Sequence, residues 1–510
     1  MSEQRRSGAR HGTVVLRGLD THDHFRSTPS PAVSSAPVAR GTAAEPFSLK
    51  DASLAPTAET SRFGRIFKQS SYFPSDGAIQ ALALSMRDPN PESPERDNPD
   101  IPLGLTFFAQ FIDHNLTLDI TPLFAMQQDP AAVTDFRSSN LDLDQLYGGG
   151  PGVTRFMYDV LPPGSANNFN PVKLVLDAQR DFDLPRNSQN TAIIGDLRND
   201  ENFLVSQTHL AFIKFHNAVV DYLLATDPQK YVGEGANPTL FRDASQTARW
   251  HYQWIIVNEF LPKIIGAEVV QEVLTHGRLW YRPAEQGYQY PYMPVEFSTA
   301  AYRLGHAMLR QHYVISDGFQ ANLFDMPVFG NPRIDASKKL DFTKFFDFPG
   351  KPAAQRARRY GAIITPPVFE LPFIDPIDDP PVVLPQRNML RARLFKVPSG
   401  QEVATLMKNA GLNIVVHSNQ ALGITAIPGT DGLHGQAPLW YYILKESEFS
   451  PIGGRHLGPV GGRIVAEVFI GILQETAGNY LHDQPGWKPT LPAAHAGTFT
   501  LTDLLTFAKA

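Results

Sequence analysis

Apolar residues recur at helical spacing in six stretches of the chain, 103–118, 204–224, 248–265, 297–309, 400–408 and 462–473, and each predicts a helix. Strand signals are short and confined to 13–16 and 414–416. The longest connection, TPPVFELPFIDPIDDPPVVLP at 365–385, carries too many prolines for a helix and reads as a long ordered loop. Residues 1–60 lack periodic hydrophobicity and are rich in Ser, Pro, Ala and Thr, the composition of a flexible tail. No internal repeat is present. The pattern predicts a mainly α fold with little β. It is read as a single large helical domain over residues 61–510, with long Pro/Gly-rich loops, built around something buried.

Composition narrows this picture. A net charge of −6 leaves no basic excess to neutralise phosphates, which argues against a nucleic-acid partner. No apolar run reaches the roughly 18 residues that a spanning helix needs, so no transmembrane segment is read. The opening MSEQRRSGARHG is polar and basic and leads to no apolar stretch, so no signal peptide is read either. A cytoplasmic or non-classically secreted protein is expected. The 510 residues include no cysteine, which excludes disulfides, thiolate-ligated iron, Fe–S clusters and zinc–cysteine sites together.

Four segments could carry chemistry. In TFFAQFIDHNLTLDITP, Gln110, Asp113, His114 and Thr117 share one face of a very apolar helix. A surface stripe is the plain alternative. In GDLRNDEN, Arg198 and Glu201 stand one turn apart, a spacing that also suits a helical ion pair. In AYRLGH, His306 follows Gly305 in an apolar helix; a satisfied core histidine has the same look, but the glycine lets a flat group approach the backbone. LPQRNMLR at 384–391 reads as a loop entering a helix and holds Asn388 and Arg391.

Taken jointly and in this order, the four segments resemble the haem pocket of animal-type peroxidases, the peroxidase–cyclooxygenase superfamily. That pattern has Gln-x-x-Asp-His, Arg-x-x-Glu, Arg-x-Gly-His and Asn-x-x-Arg. SQTHLAFIKFHNAVVD, VNEFLPKIIG, NMLRARLFKVPSGQEVA and LGPVGGRIVAEVFIGIL resemble bacterial members in particular, and the likeness covers roughly residues 62–490. The resemblance implies haem b with His306 as iron ligand and Asn388 as the hydrogen-bond partner of that ligand. It implies His114 as the acid–base group toward hydrogen peroxide, Arg198 as the charge-stabilising cation and Gln110 as holder of a distal water or anion. Arg303 and Arg391 would face haem propionates, and Asp113 and Glu201 would be able to form ester links to haem methyls. Asn202, with no sulfur, stands where a few members have a Met that makes a third link.

RSSNLDLDQLYG at 137–148 resembles the family's calcium loop, which implies calcium on Ser138, Asn140, Asp142, Asp144 and Asn115. Two departures mark it: Asn115 replaces the usual Asp after the distal His, and Asp144 replaces a usual Ser. The function implied is peroxide-dependent oxidation of small organic donors, halide or pseudohalide. A fatty-acid dioxygenase of the same superfamily is the alternative, but those enzymes place a radical-forming Tyr three residues before the proximal His, where this chain has Arg303. A non-catalytic haem- and calcium-binding protein is a third reading, and retention of both His114 and Arg198 speaks against it.

Overall fold

The computed structural model describes residues 62–118, 130, 133, 135–159, 172–232, 236–325, 334–377 and 379–510. The tail expected over 1–60 and the strand signal at 13–16 lie outside them. The six apolar stretches all lie in helical regions, with one internal break. Helix α1 (Gly104–Leu116) is apolar nearly all round and accordingly buried nearly all round, leaving only Gln110 and Asp113 partly accessible. It lies on α2 (Phe203–Thr226) and α3 (Ala236–Ile255) through Phe108 and Phe111. Phe111 stacks on Phe212 with ring centroids 4.7 Å apart, and Phe108 meets Tyr252 edge-on at 6.1 Å. Such aromatic pairs add about 0.5–1.5 kcal/mol each beyond their buried area. They fix the face of α1 that remains for the site.

The stretch 297–309 is not one helix. α4 (Val295–Thr299) ends at Ala300 (φ −133°, ψ −74°), a 3-10 turn covers Ala301–Leu304, and α5 (Gly305–Met308) carries His306. The break has a packing cause: Phe297 and Tyr302, five residues apart, stack at 4.8 Å and both lie against Phe469. A continuous helix would point them in different directions. Arg303 Nε donates to the Ser298 carbonyl at 2.8 Å, so an acceptor released by the break is satisfied by a side chain.

α6 (Leu384–Leu394) replaces the expected loop at 384–391, because Pro385 sits in its first turn, where a missing N–H costs nothing. α7 (Gly400–Asn409) starts in a Ser399/Glu402 capping box. α8 (Leu439–Ser447) and α9 (Pro459–Glu475) complete the core, and Glu446 of α8 accepts from the Gly461 N–H at the start of α9. Between 365 and 383 the described residues hold a single 3-10 turn, Pro366–Phe369, in agreement with the expected loop.

Six short strands occur among the described residues: β1 (Phe63–Gly64), β2 (Asp97–Pro102), β3 (Met293–Pro294), β4 (His312–Ser316), β5 (Phe319–Asn322) and β6 (Arg356–Arg358). They form three two-stranded pairs, β1–β3 parallel, β2–β6 and β4–β5 antiparallel. The strand expected at 414–416 is absent. Backbone groups there bond to the Tyr442 hydroxyl instead, which donates to the Val415 carbonyl at 3.2 Å and accepts from the His417 N–H at 3.1 Å. No helix among the described residues is long and apolar enough to cross a membrane.

Candidate active site

The accessible face of α1 looks across a cavity of about 510 Å³ at the segment around α5. Thr106, Ala109, Gln110, Asp113 and His114 line one wall, and Tyr302, Arg303, Gly305, His306 and Leu309 line the other. Two sequence motifs nearly two hundred residues apart thus meet in one space. A Cβ added at Gly305 would meet no atom within 4 Å, so the wall beside His306 is open for a flat group to lie against.

On the α1 side, His114 is buried, and its Nδ1 lies 2.7 Å from Asn199 Oδ1. A carbonyl oxygen only accepts, so the proton sits on Nδ1 and the basic nitrogen of the neutral ring is Nε2. Asn199 Nδ2 in turn donates to His209 Nδ1 at 2.9 Å. Burial pushes the His209 ring down to about 3, so it stays neutral and can accept. Sequence reasoning overlooked Asn199; its partners are 85 and 10 residues away, and no local signal connects them.

Arg198 does not line the cavity. It is fully buried against the backbone of His114, with Nη2 donating to the His114 carbonyl at 3.0 Å and Nη1 without a hydrogen-bond partner. Asp196 holds it: Nε is 3.2 Å from both carboxylate oxygens, and Nη2 is 2.7 Å from Oδ2. Burial works to raise the Asp196 carboxyl, but the Arg198 and Arg137 guanidiniums override it and hold it well below the usual carboxylate range. Sequence reasoning assigned Asp196 no role; it caps the 3-10 turn Leu197–Asp200, with Oδ1 accepting from the Arg198 N–H, and an Asp just before that turn is the signal that could have found it. Glu201 is also off the cavity wall. Its Oε1 is shielded and unpartnered, and burial pushes the carboxyl up to about 8, partly offset by Arg198.

On the α5 side, His306 Nδ1 lies 2.8 Å from the Asn388 side-chain amide. The atom facing the ring is Nδ2, a donor; turned over, the amide, whose Nδ2 and Oδ1 differ little in shape, would accept from Nδ1–H through Oδ1 and leave Nε2 as the ligand atom. Trp440 packs edge-on to His306 at 6.4 Å and donates from Nε1 to the Arg303 carbonyl at 3.1 Å. A second cavity, about 280 Å³, adjoins Arg303 and Arg391 together with Thr117 and Ser298. Asn388 and Arg391 stand one turn apart on α6, so one face of this helix serves both His306 and the second cavity.

These residues fit the haem that the resemblance implies. A histidine with an engaged Nδ1 offers an iron ligand, an open glycine wall offers room for a flat ring, and two arginines flank an adjoining space for carboxylates. The buried, unpartnered Arg198 Nη1 and Glu201 Oε1 are polar atoms awaiting a partner beside it.

The loop at 138–144 is different. Among the described residues no group of three or more His, Asp or Glu side chains could hold a metal ion. Asn115 Nδ2 donates to Asp144 Oδ1 at 3.0 Å and to Asp142 Oδ1 at 3.3 Å, while its Oδ1 accepts from the Leu143 N–H and the Tyr252 hydroxyl. Asn140 turns away to accept from Asn479 Nδ2 at 2.9 Å. Ser138 donates to Asp142 Oδ2 at 2.8 Å. Donors fill the space that a calcium ion would need to find lined with oxygens, so the side chains as arranged do not fit that ion.

Residues 125–340 match the model of the animal haem peroxidase family. A peroxidase-like protein of Margaritifera margaritifera is 32% identical over 120 residues, which are 23% of this chain and 14% of that protein. The chain covers between 10% and 37% of the length of four curated relatives that it matches. Among solved structures, peroxidase A of Dictyostelium discoideum superposes with a TM-score of 0.53 at 15% identity, over 88% of this chain and 93% of that one. The fatty acid alpha-dioxygenase of Oryza sativa gives 0.52 at 14%, over 87% and 81%. Both share the fold. Family model and relatives match the animal haem peroxidase superfamily over part of this chain, and the solved structures share its fold.

Proposed function

We propose that the protein is a haem-dependent peroxidase that uses hydrogen peroxide to oxidise small organic donors, halide or pseudohalide. On the segments named above, it stands with the bacterial-like members of the superfamily. The observation that carries this reading is the placement of His114 and His306 on opposite walls of one cavity. His306 would hold the iron through Nε2, and Asn388, accepting from Nδ1–H, would make that imidazole a stronger donor. When bound, the haem iron supplies the redox chemistry that splits the O–O bond. His114 Nε2 takes the proton from one peroxide oxygen and returns it to the departing one. Arg198, fixed by Asp196 behind the His114 backbone, would act through its field and not by contact, stabilising the negative charge that develops as the bond breaks. Gln110, on the same wall, would orient a water or an anion, and Arg303 and Arg391 would hold the propionates.

A fatty-acid dioxygenase is the second reading, favoured by Tyr302. Its ring lines the cavity, with the hydroxyl 3.3 Å from the Ala109 carbonyl of α1. Purified holoprotein separates the two. Hydrogen peroxide should drive guaiacol oxidation, and palmitate should cause no oxygen uptake. Oxygen uptake on palmitate without guaiacol oxidation would overturn the assignment.

Asp113 and Glu201 are proposed to become ester-linked to the haem during turnover. Each link would exchange one C–H bond of a haem methyl for a C–O bond to the carboxylate, with one hydrogen peroxide, the oxidant, reduced to two waters that take up the methyl hydrogen and the carboxyl proton. Asp113 lines the cavity and Glu201 Oε1 has no competing partner. After peroxide treatment, acidic butanone should leave haem in the aqueous, protein-bound layer; complete extraction rules the links out. With no third link at Asn202, iodide, thiocyanate or bromide should be oxidised more readily than chloride.

A further inference from the structure

The loop at 138–144 and the distal arginine share a residue that the peroxidase reading leaves unused. Arg137 is largely buried, and its fork spans two carboxylates: Nη1 lies 3.3 Å from Asp144 Oδ2 and Nη2 lies 2.9 Å from Asp196 Oδ2. Nη2 also donates to the Gly195 carbonyl at 3.1 Å. Asp196 Oδ2 is the same atom that binds Arg198 Nη2. A carboxylate is therefore shared by two guanidiniums, one from the loop and one from the distal site.

We infer that the Arg137 guanidinium takes the place of a divalent cation in this loop and, through Asp196, positions Arg198. Positive charge is supplied from within the fold: Arg137 faces the buried carboxylates Asp135, Asp144 and Asp196, Arg198 faces Asp196 and Asp135, and Arg249 acts on Asp142. Geometry carries the substitution. Each oxygen of Asp142 and Asp144 already accepts a hydrogen bond: Asp142 Oδ1 from Asn115 Nδ2 and the Asp144 N–H, Asp142 Oδ2 from Ser138 Oγ, Asp144 Oδ1 from Asn115 Nδ2, and Asp144 Oδ2 from Arg137 Nη1.

The Asn115 orientation is set by four neighbours at once. Turning its amide over would bring Oδ1 against both carboxylates and Nδ2 against the Leu143 N–H, with repulsion on both sides. The two departures noted in the sequence are then one exchange. An amide donor at 115 suits a second carboxylate at 144, and Arg137 supplies the positive charge. A planar guanidinium can bridge two carboxylates with parallel donors, whereas a lysine places its charge at one point.

Positioning of Arg198 rests on the reading of that residue as the distal cation; the absence of a metal requirement does not. The holoprotein should contain only trace calcium by metal analysis, and EGTA should change neither its melting temperature nor its Soret band. Arg137→Leu should lower the melting temperature and slow peroxide consumption about tenfold or more, as a displaced catalytic group does. The same substitution should add nothing in an Arg198→Leu background, which a merely structural defect would not reproduce. If Arg137→Leu does not fold, Arg137→Lys decides the matter: the charge survives, the bridge does not, and slowed consumption is again expected. An Asn115→Asp/Arg137→Leu protein should acquire a melting temperature that rises with calcium. Stoichiometric calcium in the wild type, removed by EGTA with loss of stability, overturns the substitution. A wild-type peroxide rate in Arg137→Leu or Arg137→Lys overturns the positioning. Should Arg198→Leu itself consume peroxide normally, the distal reading fails while the metal result stands.

Discussion

His306→Ala protein, expressed with haem in excess, is expected to purify without a Soret band, while His209→Ala keeps one. His209 engages Asn199 through Nδ1 and does not line the cavity, and two other buried histidines have both ring nitrogens committed to the fold. His216 uses Nδ1 with the Tyr147 hydroxyl and Nε2 with the Val172 carbonyl. His251 donates from Nδ1 to the Thr247 carbonyl and accepts at Nε2 from the Thr490 and Leu491 N–H groups. His306 engages Asn388 through Nδ1 and presents its ring to the cavity beside Gly305. Alanine there would remove the proposed iron–protein bond outright. The apolar walls and the arginines around the second cavity would still attract a flat anion, so weak, spectrally altered haem binding is compatible with the assignment. A normal Soret band is not. Asn388→Leu should keep the ligand but remove its orienting partner, lowering haem affinity about 10–100-fold, the usual cost of losing such a support. Haem transfer to an excess of apomyoglobin measures both variants on one scale.

How far the chain announced this site depends on the kind of interaction involved. The face of α1 was legible because helical periodicity alone sets Gln110, Asp113 and His114 side by side, and an otherwise apolar sequence makes those polar positions conspicuous. Periodicity could not reveal the break at Ala300, since no proline or glycine marks it. The break is imposed by Phe297 and Tyr302 packing on Phe469, which comes from a helix more than 160 residues further along. Asn388 and Arg391 were legible as a pair but not as one helix face, because 384–391 read as a loop entering a helix, whereas Pro385 stands in the first turn of that helix. The loop at 138–144 shows a further limit. Oxygen-bearing side chains at alternating positions suggest a cation site, yet whether Asn115 presents its oxygen or its nitrogen depends on Leu143 and Tyr252, and whether Arg137 enters depends on Asp196. Those contacts are tertiary, and no local pattern contains them.

His114→Ala is expected to retain haem and to slow peroxide consumption by about 10²-fold or more, the scale of a lost general acid–base group. The proposed ligand His306 and its partner Asn388 lie on α5 and α6, so the substitution would leave the iron bond intact and act on the proton. Loss of the ring removes the Nε2 that accepts the peroxide proton. It leaves Arg198 still held by Asp196, so the charge-stabilising part of the site survives and the rate should stay above that of free haem. Two companion measurements separate a proton-transfer role from simple damage. Free imidazole, which fits the space vacated, should restore part of the rate in His114→Ala and none in Arg198→Ala. Asn199→Leu should slow the same step less severely, because His114 remains but is no longer held in the tautomer with the proton on Nδ1. Its rate should also depend on pH differently from the wild type, since Asn199 supports the neutral ring on one side and the neutral His209 on the other. If His114→Ala consumes peroxide at the wild-type rate, the imidazole across from His306 is not the base, and the proton must be taken by Gln110-bound water or by Asp113 on the same wall.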